Sequence, residues 1–231
     1  LEYEKKLIEE NKIENLKLHH NDFRAVKFKK KFDYIISSGV IHHLDDPGTG
    51  LKYFNQNLKD EGVIYIMVYG DKKSYATNQF KKLFRKLNLK QNQESINFVM
   101  NTVNKLNNFH PAKIFANTEI KEDLTHPAGV VDFFLHMKEN FFSIKDLIKL
   151  LNKNKLVIKN FANGRIKPLT KFFTEAPINV KEKINSLSIE DKLEISQILN
   201  WNDRKIDLIC CKSKNKKNSI VYNEINLEKI Y

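Results

Sequence analysis

Cysteine is scarce in this chain: there are two among 231 residues, and they are adjacent. Neighbours on a strand point to opposite faces, which excludes Cys210 and Cys211 as a disulfide or as a shared pair of metal ligands. They are expected to be buried structural thiols, and so few cysteines suit a reducing cytoplasm. No stretch approaches the ~18 consecutive apolar residues that a helical membrane span needs. Residues 1–20 are charged throughout, which leaves no apolar segment for a signal peptide. There is no aromatic–glycine RNA signature and no zinc-finger spacing. The chain does not open on methionine. Leu7, Ile8 and Ile13 read as the tail of an amphipathic helix, which predicts a piece trimmed at its N-terminus.

What the chain does have is positive charge. Lys and Arg number 40 against 28 Asp and Glu, a formal net charge of +12. Such a balance can mark a nucleic-acid binder. Here the lysines are scattered along the whole length, and the local runs Lys29–Lys31 and Lys212–Lys217 fall in an expected loop and tail. A solvated lysine-rich surface is therefore expected, with nucleic acid not the expected partner. A hydrophobic share of 41% supports one sizeable core with room for an inserted subdomain.

The central stretch is "FDYIISSGVIHHLDDPGTGLKYFNQNLKDEGVIYIMVYG", residues 32–70. Its first part is a β-branched, nearly all-apolar run, as expected of a strand buried on both faces of a parallel sheet. Asp46-Pro47 opens a helix with Leu51, Phe54 and Leu58 on its apolar side, ended by Glu61-Gly62. "VIYIMVYG" (63–70) is a second buried strand, so the three form a right-handed βαβ unit with parallel pairing over 33–38 and 63–69. Upstream, "LKLHHND" (16–22) alternates and predicts a short strand. From 71 to about 140 only helical spacing is visible, with His110-Pro111 and His126-Pro127 as helix-breaking turns. Ser143 with Asp146 then caps a helix. "KLVIKNF" (155–161) and "KIDLICCK" (205–212) are the last strands, separated by a mainly helical stretch. The tail 213–231 is polar. The class is α/β, doubly wound.

Residues 32–70, with Asp22-Phe23 ahead of them, resemble the class I S-adenosylmethionine-dependent methyltransferases. The F-D-x-I opening, the V-I-H-H-L turn and the L-K-x-x-G ending before an apolar run are similar to that family's fourth strand, following helix and fifth strand. "LEYEKKLIEENKIENLKLHHNDF" looks like the helix after its second strand, then its third strand and loop. "DFFLHMKENFFSIKDLIKLLNKNKLVIKNF" is similar to a helix and sixth strand of subgroups that carry a helical lid. The family's glycine-rich loop, acidic-x-G-x-G-x-G, is nowhere in this sequence, nor is the acid that holds the ribose hydroxyls. The resemblance implies a mostly parallel Rossmann-like sheet, incomplete for want of its first two strands. It assigns 1–70 and 141–212 to the methyltransferase domain and 71–140 to a helical insertion or lid. It also implies that 205–212 runs antiparallel between the fifth and sixth strands, and that 33–38 lies at the sheet edge with 16–20 detached or collapsed towards it.

Ligands of open α/β sheets sit outside the carboxyl ends of the parallel strands. Ser38, Gly39 and Val40 occupy that edge and are candidate cofactor residues, glycine permitting close backbone approach. The resemblance adds Asp22, as acceptor of the adenine amino group, and Phe23, packing on the ring. Against these stand a strand-ending turn and an exposed turn aspartate. For His42-His43 no nearby Cys, His or Glu has metal-ligand spacing, so no metal is expected. His43 is the candidate general base, since imidazole suits proton removal near neutral pH; the bland alternative is structural. Tyr69, ending its strand, is the second candidate catalytic residue, or an interface tyrosine. Asp132 and His136, four apart, share a face if their segment is helical and then line an acceptor pocket, or pair at the surface.

The expected function is methyl transfer from S-adenosylmethionine to an unidentified acceptor, a small molecule first, by a cytoplasmic enzyme with no membrane association. The piece itself is expected to bind the cofactor poorly and to be inactive. The alternatives are a non-enzymatic α/β binding domain and a basic RNA- or protein-modifying relative.

Overall fold

The computed structural model describes residues 1–71, 75–136, 138–162, 169–199 and 205–215. Four strands form one sheet in the order β1-β2-β4-β3: β1 (Phe32–Ser38), β2 (Leu58–Tyr69), β3 (Leu156–Phe161) and β4 (Lys205–Lys212). β1 and β2 pair in parallel, Ile35 opposite Ile64 and Ser37 opposite Ile66. β4 is antiparallel to both β2 and β3. β3 therefore points the same way as β1 and β2, and β4 alone is reversed. The sheet is mostly parallel in strand direction, although β1–β2 is the only parallel pairing among the described strands.

Helix α1 (Glu2–Glu10) buries none of its residues. α2 (Pro47–Asn57) bridges β1 and β2, with the Asp46 side chain accepting from Gly48 N and Pro47 in the first turn, where its missing N–H costs nothing. The expected helix end at Glu61-Gly62 is corrected. The chain leaves the helix at Asn57, and residues 58–62 already belong to β2. Fully buried Leu58 sits opposite Phe32, and Lys59 pairs with Asp33 at 2.7 Å. Gly62 fits there because a Cβ would come within 2.9 Å of the Asp33 carbonyl oxygen. The strand expected at 16–22 does not form either. An alternating segment needs a neighbour to complete its ladder, and it pairs with none among the described strands. Among the described strands β1 lies at the sheet edge, as expected.

Between β2 and β3 the chain is helical: α3 (Tyr75–Lys86), α4 (Gln93–Lys105), α5 (Pro111–Thr118), α6 (Pro127–Val130), continued by a π turn over Val131–Leu135, and α7 (Ile144–Lys153). His110-Pro111 and His126-Pro127 lie at turns between helical segments, as expected, each histidine at the N-cap of the next helix, and His110 Nδ1 accepts from Ala112 N at 3.1 Å. Ser143 caps α7, accepting from Asp146 N. α8 (Thr170–Phe173), α9 (Ile178–Ser186) and α10 (Ile189–Leu199) precede β4.

Two large apolar clusters result. One joins the sheet to α2, α7 and α10 through Leu51, Ile66, Leu147 and Leu193. The other lies within α3–α6 and the π turn, around Phe84, Val99, Phe115 and Phe134. Cys210 and Cys211 are free thiols buried in β4, as expected, and burial pushes the ionisation of both upward. Of the expected polar tail, 216–231 lie outside the described residues. No described helix is long and apolar enough to cross a membrane.

Candidate active site

β1 ends where its side chains shrink. Gly39 N still donates to Met67 O at 3.2 Å, but its φ of +70° is left-handed backbone that a side chain resists. That turn releases the chain into a 3₁₀ segment, Ile41–His43. Ile41 drops into the core and His42 is fully buried behind it. Ser37 is buried as well, and its Oγ meets no partner among the described residues. Ser38 and Val40 are exposed at the same edge.

On one side of this edge four rings stand in file. The Tyr69 and His42 centroids are 4.4 Å apart, His42 and His43 4.1 Å, and His43 and His136 4.1 Å. Tyr69 Oη donates to Asp132 Oδ2 at 3.3 Å, and Asp132 Oδ1 lies 3.9 Å from His43 Nε2. The other nitrogen of His43, Nδ1, is 3.3 Å from the Lys138 carbonyl oxygen. Asn140 locks the histidine turn in place, its Nδ2 donating to the carbonyls of His42 and Leu44. Beneath the file Lys81 and Glu139 form an almost completely buried ion pair. Burial lowers the ionisation of Lys81 and raises that of Glu139, each charge being partly compensated by the other. Burial, and then the neighbouring His43, push His136 down. Sheet and helical segment thus both supply this cluster: His42, His43 and Tyr69 from the first, Lys81, Asp132, His136 and Glu139 from the second.

On the other side lies an open groove of ≈ 330 Å³, walled by Phe23, Tyr34, Ile36, Val40 and Phe54. Phe23 stacks on Phe54 at 5.3 Å. Asp22 caps the short turn that carries Phe23 and grips Arg24, whose Nη2 is 2.6 Å from Oδ2. The hydrogen bonds from Arg24 hold the Asp22 carboxyl down to about 2.

A sequence profile described as "Methyltransferase domain" matches residues 1–127, more than half of the chain. The chain belongs to this methyltransferase-domain family. Two solved structures are similar to it. PKMT2 from Rickettsia typhi aligns with a TM-score of 0.61 at 18% identity. PKMT2 from Rickettsia typhi in complex with AdoHcy aligns with a TM-score of 0.65 at 17% identity. Each match covers 92% of this chain and 42% of the other, so the chain spans less than half the length of those proteins. At such identity the likeness speaks for the fold.

In this methyltransferase domain the structure brings four of the sequence-predicted residues together: His43, Tyr69, Asp132 and His136. Of the predicted cofactor residues, Phe23 and Val40 line the groove, Ser38 and Gly39 lie at the end of β1 beside Val40, and Asp22 precedes Phe23. Sequence reasoning missed Lys81, Glu139 and Asn140. Glu139 joins a carboxylate to the histidine pair, their donor atoms within 4.8 Å of one another, although 96 residues separate it from His43. No local spacing carries that signal. A lysine on the apolar side of an expected helix, where Lys81 falls beside Phe80 and Phe84, was the available hint.

Proposed function

We propose that this domain binds S-adenosylmethionine in the groove that runs along β1 to its carboxyl end at Ser37–Val40 and passes its methyl group to an oxygen or nitrogen of a small molecule held against His43. The observation that carries this reading is the file of His43, Tyr69, Asp132 and His136 at the strand edge where α/β sheets bind ligands, in a chain of the methyltransferase-domain family. The AdoHcy bound by the similar PKMT2 structure is what remains of such a donor after transfer, which supports the choice of cofactor.

The residues present suit one end of that cofactor. Phe23, Tyr34 and Val40 offer an apolar wall, Gly39 admits close approach, and the buried Ser37 hydroxyl has hydrogen-bonding capacity to spare. The sequence holds no glycine-rich loop for a methionyl carboxylate, so binding and turnover by residues 1–231 are expected to be weak. The donor supplies an already activated sulfonium methyl. What the protein adds is alignment of the acceptor and removal of its proton. A hydrogen bond from His43 Nδ1–H to the Lys138 carbonyl fixes the tautomer that leaves the Nε2 lone pair as base. Tyr69 and Asp132 orient the acceptor's polar atom.

A second reading, a non-enzymatic α/β binding domain, gains from the missing loop and from the engagement of Asp22 by Arg24. Tritiated methyl donor separates the two. Screened against amine, phenol and carboxylate acceptors, the enzyme reading expects transfer that falls about 10²–10⁴-fold in His43→Asn, with photocrosslinking of the donor to residues 16–40 retained. Crosslinking without transfer to any acceptor favours the binding domain. Transfer unaffected by His43→Asn removes the assigned base.

A further inference from the structure

Glu139 presents an unusual carboxylate. Its side chain is 1% exposed, Lys81 holds Oε2, and Oε1 accepts no hydrogen bond among the described residues. Lys81 compensates the charge from one side, and a buried carboxylate oxygen left without a partner on the other is costly unless a donor or a cation meets it. One carboxylate oxygen of Glu139 and one ring nitrogen each of His42 and His43 all lie within 4.8 Å of one another. Ligand atoms on one tetrahedral ion with bonds of about 2.0–2.2 Å stand roughly 3.3 Å apart, so modest side-chain movement closes the set.

The second shell is in place. The Lys138 carbonyl is positioned to take the Nδ1–H of His43, which leaves Nε2 as the ligand nitrogen. Asp132 Oδ1, at 3.9 Å from that Nε2, is too far for a hydrogen bond and at a spacing suited to a fourth donor. Lys81 anchors the other oxygen of Glu139, and Asn140 fixes the backbone of the histidine turn. Two imidazoles with carboxylate oxygen favour a borderline divalent ion over the hard, all-oxygen preference of magnesium or calcium.

We infer that His42, His43 and Glu139 form a binding site for a transition-metal dication of the zinc class, with Asp132 placed to complete it. This goes beyond the methyl-transfer reading and does not require it. It has one consequence for that reading: a bound cation takes the His43 lone pair, so the loaded form cannot use His43 as base.

Cobalt(II) is the probe, added to chelator-treated protein and followed by visible absorption. The expected result is a d–d band that saturates at one equivalent, with or without the methyl donor. The band should be lost in Glu139→Gln and in His43→Asn, and should persist when the exposed His19 and His20 are both changed to Asn. Circular dichroism checks that each variant is folded. If Glu139→Gln does not fold, the half-buried His43→Asn decides. Absence of a band, or a band of the same amplitude in folded His43→Asn, would overturn the inference, the latter placing cobalt on surface imidazoles.

Discussion

Strands β1 and β2 are both built of β-branched and aromatic residues, yet β2 buries Ile64, Ile66 and Val68 completely while β1 leaves Tyr34 50% and Ile36 65% exposed. The pair shares one ladder, so the difference comes from what lies beside and above each strand. β2 is flanked by β1 and β4, and the helical segment closes over its carboxyl end at Tyr69. β1 has a neighbour on one side only among the described residues. Ile35 packs against the core and Ser37 is buried, yet both, with the more exposed Phe32, Tyr34 and Ile36, line the groove along this edge. An all-apolar strand pattern therefore reports the surroundings a strand is suited to, and burial depends on whether those surroundings are supplied. The groove assigned to the cofactor and the open face of β1 are the same surface.

The largest expected effect lies in β2. Ile66→Ala removes a fully buried side chain and should cost about 2–5 kcal/mol in urea unfolding. Ile36→Ala, on the same sheet but facing out, should stay within about 0.5 kcal/mol. Equal losses would mean that β1 is covered in solution. Next is Gly39→Ala, which places a side chain at φ +70° and should cost about 1–2 kcal/mol by thermal unfolding.

Ile36→Lys tests the exposed edge without touching the core. A long apolar edge strand is a template for pairing, and a lysine there blunts it. Sedimentation velocity should show less self-association in the variant, at unchanged stability. An unaltered distribution would mean that β1 does not carry the association. The smallest effect concerns Asp60, in the exposed first stretch of β2. Hydrogen bonds from Lys214 and Lys212 hold its carboxyl down to about 2. Its folded value lies below the unfolded one, so its contribution is present above about pH 4 and is lost as pH falls towards 2. Asp60→Asn should slightly lower stability at neutral pH and converge with the unsubstituted protein near pH 2, which flattens the acid limb of a stability–pH curve.

Much of the sheet was legible because its signals are local. The bounds of β4, the Ser143 cap and the βαβ unit rest on residues within a few positions of one another. Residues 16–22 misled for the opposite reason, since alternation describes a strand only when a partner is present. The end of α2 was misplaced because Gly62 reads as a helix stop, whereas here it serves a close approach to Asp33 within a strand. At the site, the histidine pair and Tyr69 stood at strand ends that the sheet rule singles out. Asp132 and His136 were visible as a spaced pair, although the turn they occupy is a π turn. Glu139 and Lys81 were hidden, because a buried ion pair 58 residues apart leaves no periodic trace.

Cofactor binding beside β1 is tested by amide NMR of residues 1–231 titrated with S-adenosylhomocysteine to millimolar concentration, a regime in which weak binding is visible. Binding at this surface predicts shift changes concentrated at Asp22, Phe23 and Ser37–Val40, still unsaturated at micromolar ligand. No change at any concentration would contradict it, as would changes confined to the far groove lined by Ile148, Ile158 and Leu193.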